Sequence, residues 1–162
     1  MILIAAPLAA QQRARTIGSI LDPALGTRVS VEALRAAGNQ PASIMITVFS
    51  PAEPALIRLS LPKVTSLVSM SDSVLGLPAP VVAGESTYFP IYTSPLDSGA
   101  TLTTSRFVTD QGDLMQIQVN TTSTSAIAML SRKAAVAFIA VLGKAVTAAG
   151  ASPKSRQLGR RP

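Results

Sequence analysis

Cysteine, histidine and tryptophan are absent from this chain. Without the first two there is no disulfide framework, no thiolate nucleophile, no imidazole base and no ordinary zinc site. Aromatic residues make up only 4%, two Tyr and four Phe, so few side chains can stack on unpaired bases. Long apolar runs are lacking as well. "MILIAAPLAA" at the start is interrupted by Pro7 and has no cation ahead of it, unlike a secretory leader. "AAVAFIAVLGKAVTAAG" (134–150) falls short of the ~20 residues needed to span a bilayer and carries Lys144 near its centre. No membrane span is expected. There is no phosphate-binding glycine loop. "SLPK" (60–63) matches the Ser-x-x-Lys pattern of acyl-transfer enzymes but lacks its companion motifs, and Asp110 and Asp113 flank Gln111-Gly112 as turn residues do. No catalytic residue, metal site or cofactor is expected.

What is present is a chain of 162 residues with 48% hydrophobic content, enough for one domain with its own core. Its net charge of +6 is unevenly placed. Through Asp113 seven basic residues face eight acidic ones, and from Leu114 onward there are seven basic residues and no acid. The segment 151–162, with Lys154, Arg156, Arg160 and Arg161, reads as a basic tail on a single domain spanning 1–150. Such asymmetry favours a polyanionic partner, either nucleic acid or an anionic membrane surface.

Period-two alternation marks "SIMITVFS" (43–50) and "LIRLSL" (56–61) as a hairpin turned at "PAEP". On its second strand Ile57, Leu59 and Leu61 share an aliphatic face, which places Arg58 and Ser60 on the wetter one. Pro62, lacking an N–H, is expected to end the ladder. "RVSVEALRAAG" (28–38) fits either a short helix or a strand. Residues 65–112, rich in Ser, Thr, Gly and Pro, read as a long loop that could hold short strands. "DLMQIQVN" (113–120) alternates again, with Gln116 and Gln118 on its polar side. From about Ser125 to Ala149 a helix is expected, with Phe138, Ile139, Leu142 and Val146 on its apolar stripe. One helix is a thin cover for an aliphatic sheet face. A symmetric dimer, each helix crossing the partner's sheet, would supply the rest.

"ITVFSPAEP" and "LIRLSLPKVTSLV", followed at a distance by "GLPAPVV" and by "DLMQIQVNTT" leading into a helix, resemble the coat proteins of single-stranded RNA bacteriophages, the levivirus type. The resemblance covers roughly residues 43–64 and 113–149. It implies an α+β fold, an antiparallel sheet with a C-terminal helix packing across a dimer partner, and dimers that build an icosahedral shell around single-stranded genomic RNA. The virion, assembled in the host cytoplasm, would be its location. Carried over by residue, Arg58 falls where the family places an RNA-contacting lysine, with Ser60, Lys63, Thr47, Gln116 and Gln118 around it. The alternative is a basic RNA-binding or membrane-surface module that does not assemble.

Overall fold

The computed structural model describes residues 12–51, 53–79, 81–95 and 99–150. The apolar N-terminal segment and the basic tail with Lys154, Arg156, Arg160 and Arg161 lie outside the described residues. Within them the chain is α+β and runs twice through the same order of elements. Strands β1 (Ala14–Asp22), β2 (Thr27–Leu34), β3 (Ser43–Phe49) and β4 (Ala55–Ser60) form an antiparallel meander that passes into helix α1 (Leu61–Gly76). Strands β5 (Thr87–Pro95), β6 (Thr101–Thr109), β7 (Gly112–Asn120) and β8 (Ser125–Ser131) form a second one, which passes into α2 (Arg132–Gly150).

The two units also share local irregularities. The first strand of each is bulged, at Ile17 between Thr16 and Gly18 and at Ile91 between Pro90 and Tyr92. A bulge re-aims one side chain. Ile91 is buried and Ile17 packs against the core. In each unit the fourth strand enters its helix without a loop, at Ser60 and at Ser131.

Alternation places the aliphatic residues of both sheets inward. Val29, Val31, Ile44, Ile46, Val48, Ile57 and Leu59 of the first sheet are all buried, as are Met115, Ile117, Val119, Ala128 and Leu130 of the second. The sheets meet through β2, β3 and β4 on one side and β7 and β8 on the other, and the helices pack on each other. Each helix also reaches across to the other unit: α1 lies against β5, and α2 against β1 and β2. Gly18 permits that last approach, because a Cβ there would sit 3.0 Å from both γ-methyls of Val141.

Several expectations change. Residues 65–112 are not a long loop but contain most of α1 together with β5 and β6. Pro62 occupies the first turn of α1, where a missing N–H costs nothing, and Val64, Leu67, Ser71 and Leu75 form the buried stripe. Pro90 is accommodated in the edge strand β5. Residues 28–34 belong to a strand, and the expected helix from Ser125 is a strand up to Ser131 before α2 begins. There are two sheets rather than one. Phe138, Ile139 and Leu142 are buried, and Val146 partly so, within the core of their own chain, so the sheet that α2 crosses is its own. α2 is long and apolar enough to cross a membrane by composition, yet its stripe is used in this core.

One charged cluster is built into the junction. Arg106, 2% exposed, donates from Nε and Nη2 to the two carboxylate oxygens of Asp113, both at 2.8 Å. Its Nη1 donates to the carbonyls of Val74 and Leu77 at the end of α1, also at 2.8 Å. Arg132, at the start of α2, donates to Asp113 and to the carbonyl of Leu75. Two guanidiniums thus satisfy the open carbonyls of one helix and tie it to the second sheet and to the other helix. At the other end of the assembly Arg35 Nε donates to the carbonyl of Ala148 near the end of α2, at 3.2 Å.

Hydrogen bonds from Arg106 hold the Asp113 carboxyl below the usual carboxylate range, against the opposing effect of burial, with Arg132 adding to the depression. Asp22 is lowered by hydrogen bonds from Ser131, whose backbone N–H lies 2.8 Å from Oδ2. A depressed folded value gives stability that is complete above the unfolded value of about 3.9 and disappears as pH falls through the folded one. The denaturant midpoint should therefore drop progressively below about pH 5. Asp113→Asn should flatten that drop and lower stability at neutral pH by about 3–5 kcal/mol, because Arg106 is left buried without its counter-charge. A midpoint unchanged from about pH 5 to pH 2 would contradict this assignment.

Candidate nucleic-acid interface

With the inner faces consumed, the outer faces of the two sheets remain open, as do the outer sides of the helices. The two sheet faces differ in character. On the first sheet the antiparallel register lines up the outward residues in rows: Arg28 opposite Phe49, Thr47 between Ser30 and Leu56, Met45 between Glu32 and Arg58, and Ser43 between Leu34 and Ser60. Arg28 lies 4.7 Å from the centre of the Phe49 ring, and its Nε donates to Ser19 Oγ at 3.0 Å. Arg58 Nε donates to Ser43 Oγ at 2.7 Å. In both cases a serine fixes the inner nitrogen of the guanidinium, and the outer N–H groups make no hydrogen bond or ion pair among the described residues.

Glu32 is the one acid among these outward residues, and it makes no ion pair among the described residues. Arg13, Arg15 and Arg35 add a cationic corner at the edge of the same sheet, lining a recess of about 250 Å³ beside Ala148. A larger open groove, about 460 Å³, runs beside Arg58 between Gln12, Leu34, Gln40, Met45 and Leu56. Its upper wall comes from the connection between β2 and β3, which turns tightly at Gly38 (φ 54°) and is closed by reciprocal bonds of 3.0 Å between Ala37 and Gln40. Gln12 fastens that connection by donating to the carbonyl of Pro41 at 2.8 Å.

The outer face of the second sheet carries no charged side chain in its registered rows: Tyr88, Phe107 and Leu114; then Ser105, Gln116 and Met129; then Thr103, Gln118 and Ile127; then Thr101, Asn120 and Ser125. Tyr88 and Phe107 rings are 5.1 Å apart. Along β7 the amides form a ladder, Gln116 donating to Gln118 at 3.3 Å and Gln118 to Asn120 at 3.2 Å. Tyr88 and Ile127 are about half exposed, at 53% and 47%.

Of the candidate residues read from the sequence, the structure brings Thr47, Arg58 and Ser60 together on one outer face. Lys63 lies just beyond it in the first turn of α1. Gln116 and Gln118 do not join them, because β7 belongs to the other sheet. Arg28, Gln12 and Gln40 are additions to that set, whereas Arg13, Arg15 and Arg35 lie at the sheet's edge beside Ala33 and Ala148, Arg15 in the inward register; the meeting of all of them depends on long-range pairing. The one local signal for them is the arginine pair in "QQRAR". Among the described residues no group of acidic side chains is arranged to hold a metal ion. No protein-family model matches the sequence, and no curated protein matches it.

Arg28 and Arg58 are exposed, each with one serine contact to the sheet, and Arg28 also lies over the Phe49 ring. Their replacement by alanine should shift the denaturation midpoint by less than the equivalent of about 1 kcal/mol. A larger loss would mean that these guanidiniums serve the fold rather than the surface.

Proposed function

We propose that the chain is a self-assembling coat protein that packages single-stranded RNA, with the first sheet turned toward the RNA and the second toward neighbouring copies. The observation that supports this most is the contrast between the two outer faces, one bearing arginines and the other free of charge. Guanidiniums whose outer N–H groups are free suit phosphate oxygens, and each phosphate contact releases counterions. The chain carries +6 overall, so copies repel one another at most approaches. Contact through the charge-free face avoids burying like charges, and its amides and Tyr88 can bond to their counterparts in a second copy. The apolar stripe of α2 is already covered, so copy-to-copy contact by helix exchange has no role in this arrangement. The cations of the tail, Lys154, Arg156, Arg160 and Arg161, are further candidates for phosphate contact without sequence preference. The reading is of a structural protein, not an enzyme.

Expression in bacteria should yield closed particles containing host RNA, seen by electron microscopy and by absorbance at 260 nm. Ile127→Lys, which sets a cation on the charge-free face, should abolish particles while leaving a folded RNA-binding species. Arg28→Ala with Arg58→Ala should reduce the slope of log affinity against log salt by roughly 0.7 for each phosphate that is no longer neutralised. A wild-type protein that binds RNA only as a monomer would end the coat reading, and one with no affinity for RNA would end both halves.

A further inference from the structure

We propose that the recess beside Ala148 is a site for a dianionic phosphate, either the terminal phosphomonoester of an RNA strand or phosphate free in solution. It lies at the edge of the first sheet, apart from the outer face assigned to RNA above, and does not depend on that assignment. The two ββββα units, laid over one another on their bulges, carry different chemistry at this place. In the second unit Arg106 fills it. Its guanidinium lies 5.4 Å from the centre of the Phe89 ring, donates to the carbonyls of Val74 and Leu77 and is balanced by Asp113. In the first unit Ala33 stands in place of Arg106, and Arg15 in place of Phe89. A methyl group where the other unit has a long side chain leaves a recess of about 250 Å³.

Three guanidiniums line that recess, those of Arg13, Arg15 and Arg35, and no acid does. Arg35 Nε donates to the Ala148 carbonyl, so one of the three already serves the end of α2. Arg13 and Arg15 make no hydrogen bond or ion pair among the described residues. The register crowds them together: Ala14 pairs with Leu34, which sets Arg13 and Arg35 side by side at the end of the ladder, and Arg15 pairs with Ala33 next to them. Like charges across a ladder repel. The second unit has Asp113 two residues before Met115, the partner of Arg106; the first has Ala42 two residues before Ile44, the partner of Ala33. The counter-charge is therefore missing from the chain, and an outside oxyanion supplies it. Arg106 and Arg132 with Asp113 leave about one positive charge, and three guanidiniums reach the same balance with an anion of about −2, the charge of a phosphomonoester near neutral pH. A carboxylate or an internal phosphodiester brings only one. A terminal phosphate also has three free oxygens, one for each guanidinium.

Calorimetric titration of the full chain with pentauridylate bearing a 5′-phosphate, a 3′-phosphate or hydroxyls at both ends tests this, together with thermal unfolding in inorganic phosphate and in chloride at equal ionic strength. A phosphorylated pentamer should bind about tenfold or more tighter than the hydroxyl-ended one. Inorganic phosphate should raise the unfolding midpoint and compete away that advantage. Arg13→Gln with Arg15→Gln should remove both effects, and Arg58→Ala should keep both, with circular dichroism showing the variants folded. Arg15→Glu, which sets a carboxylate among the remaining cations, should also remove both effects and raise the midpoint at low salt; a lowered midpoint would mean that Arg15 serves the fold and would overturn the site. Equal binding of the three pentamers with no response to inorganic phosphate likewise overturns it. A response to inorganic phosphate with equal binding of the pentamers supports the site and gives it to free phosphate. Should hydroxyl-ended single strands of every length fail to bind while the phosphate response persists, the RNA reading fails and the site stands.

Discussion

Two four-stranded sheets, each with one aliphatic face, cover each other, and the rest of the molecule follows from that constraint. A single ββββα unit has one helix for a face that includes residues such as Ile44, Ile46, Ile57 and Leu59, each fully buried or nearly so. Leaving such side chains wet would cost roughly 1.5–3 kcal/mol apiece. The second unit provides the missing cover within the same chain, and the helices lie where the units meet. Both inner faces are thereby consumed. Among the described residues the outer sheet faces are the broad regular surfaces left open beside the exposed sides of the helices, and this is why their chemical difference bears on function.

The same junction explains the buried arginine. Alignment of the two units on their bulges sets Ala33, opposite Arg15, in correspondence with Arg106, opposite Phe89. Alanine suffices in the first unit. In the second, the end of α1 brings open carbonyls against the sheet, and Arg106 with Arg132 satisfies them while Asp113 balances the charge. Near the end of α2 Arg35 supplies the donor from a different register position, beyond the end of β2. The repeat is therefore approximate where the helix ends demand different donors.

Strands with strict alternation are legible in the sequence: β3, β4 and β7 lie where the pattern puts them, and the outward parity of Arg58 holds. What stays hidden is hidden for physical reasons. Pro62 reads as the stop of a ladder, but the first turn of a helix accepts it equally well, so local chemistry does not announce α1. β8 alternates Ala126, Ala128 and Leu130 with Ile127 and Met129, and with alanines inside and aliphatics outside it blends into the helix that follows. Parity says which way a side chain points on its strand and nothing about which sheet the strand joins. Gln116 and Gln118 therefore have the polar parity expected of them, on a different sheet from Arg58. The groove itself needs Gln12 and the 35–42 connection to converge on β4 from distant parts of the chain, which no local pattern encodes.

The assignment of the first sheet's outer face to RNA is tested most directly by ultraviolet cross-linking of the assembled protein to single-stranded RNA, with cross-linked peptides mapped by mass spectrometry. Aromatic and sulfur-bearing side chains report contact, and the two faces carry different sets. The account predicts cross-links at Phe49 and Met45, on the arginine-bearing face, and none at Tyr88, Phe107 or Met129. Cross-links concentrated at Tyr88, Phe107 and Met129, with Phe49 and Met45 unmarked, would place the RNA on the charge-free face and contradict it.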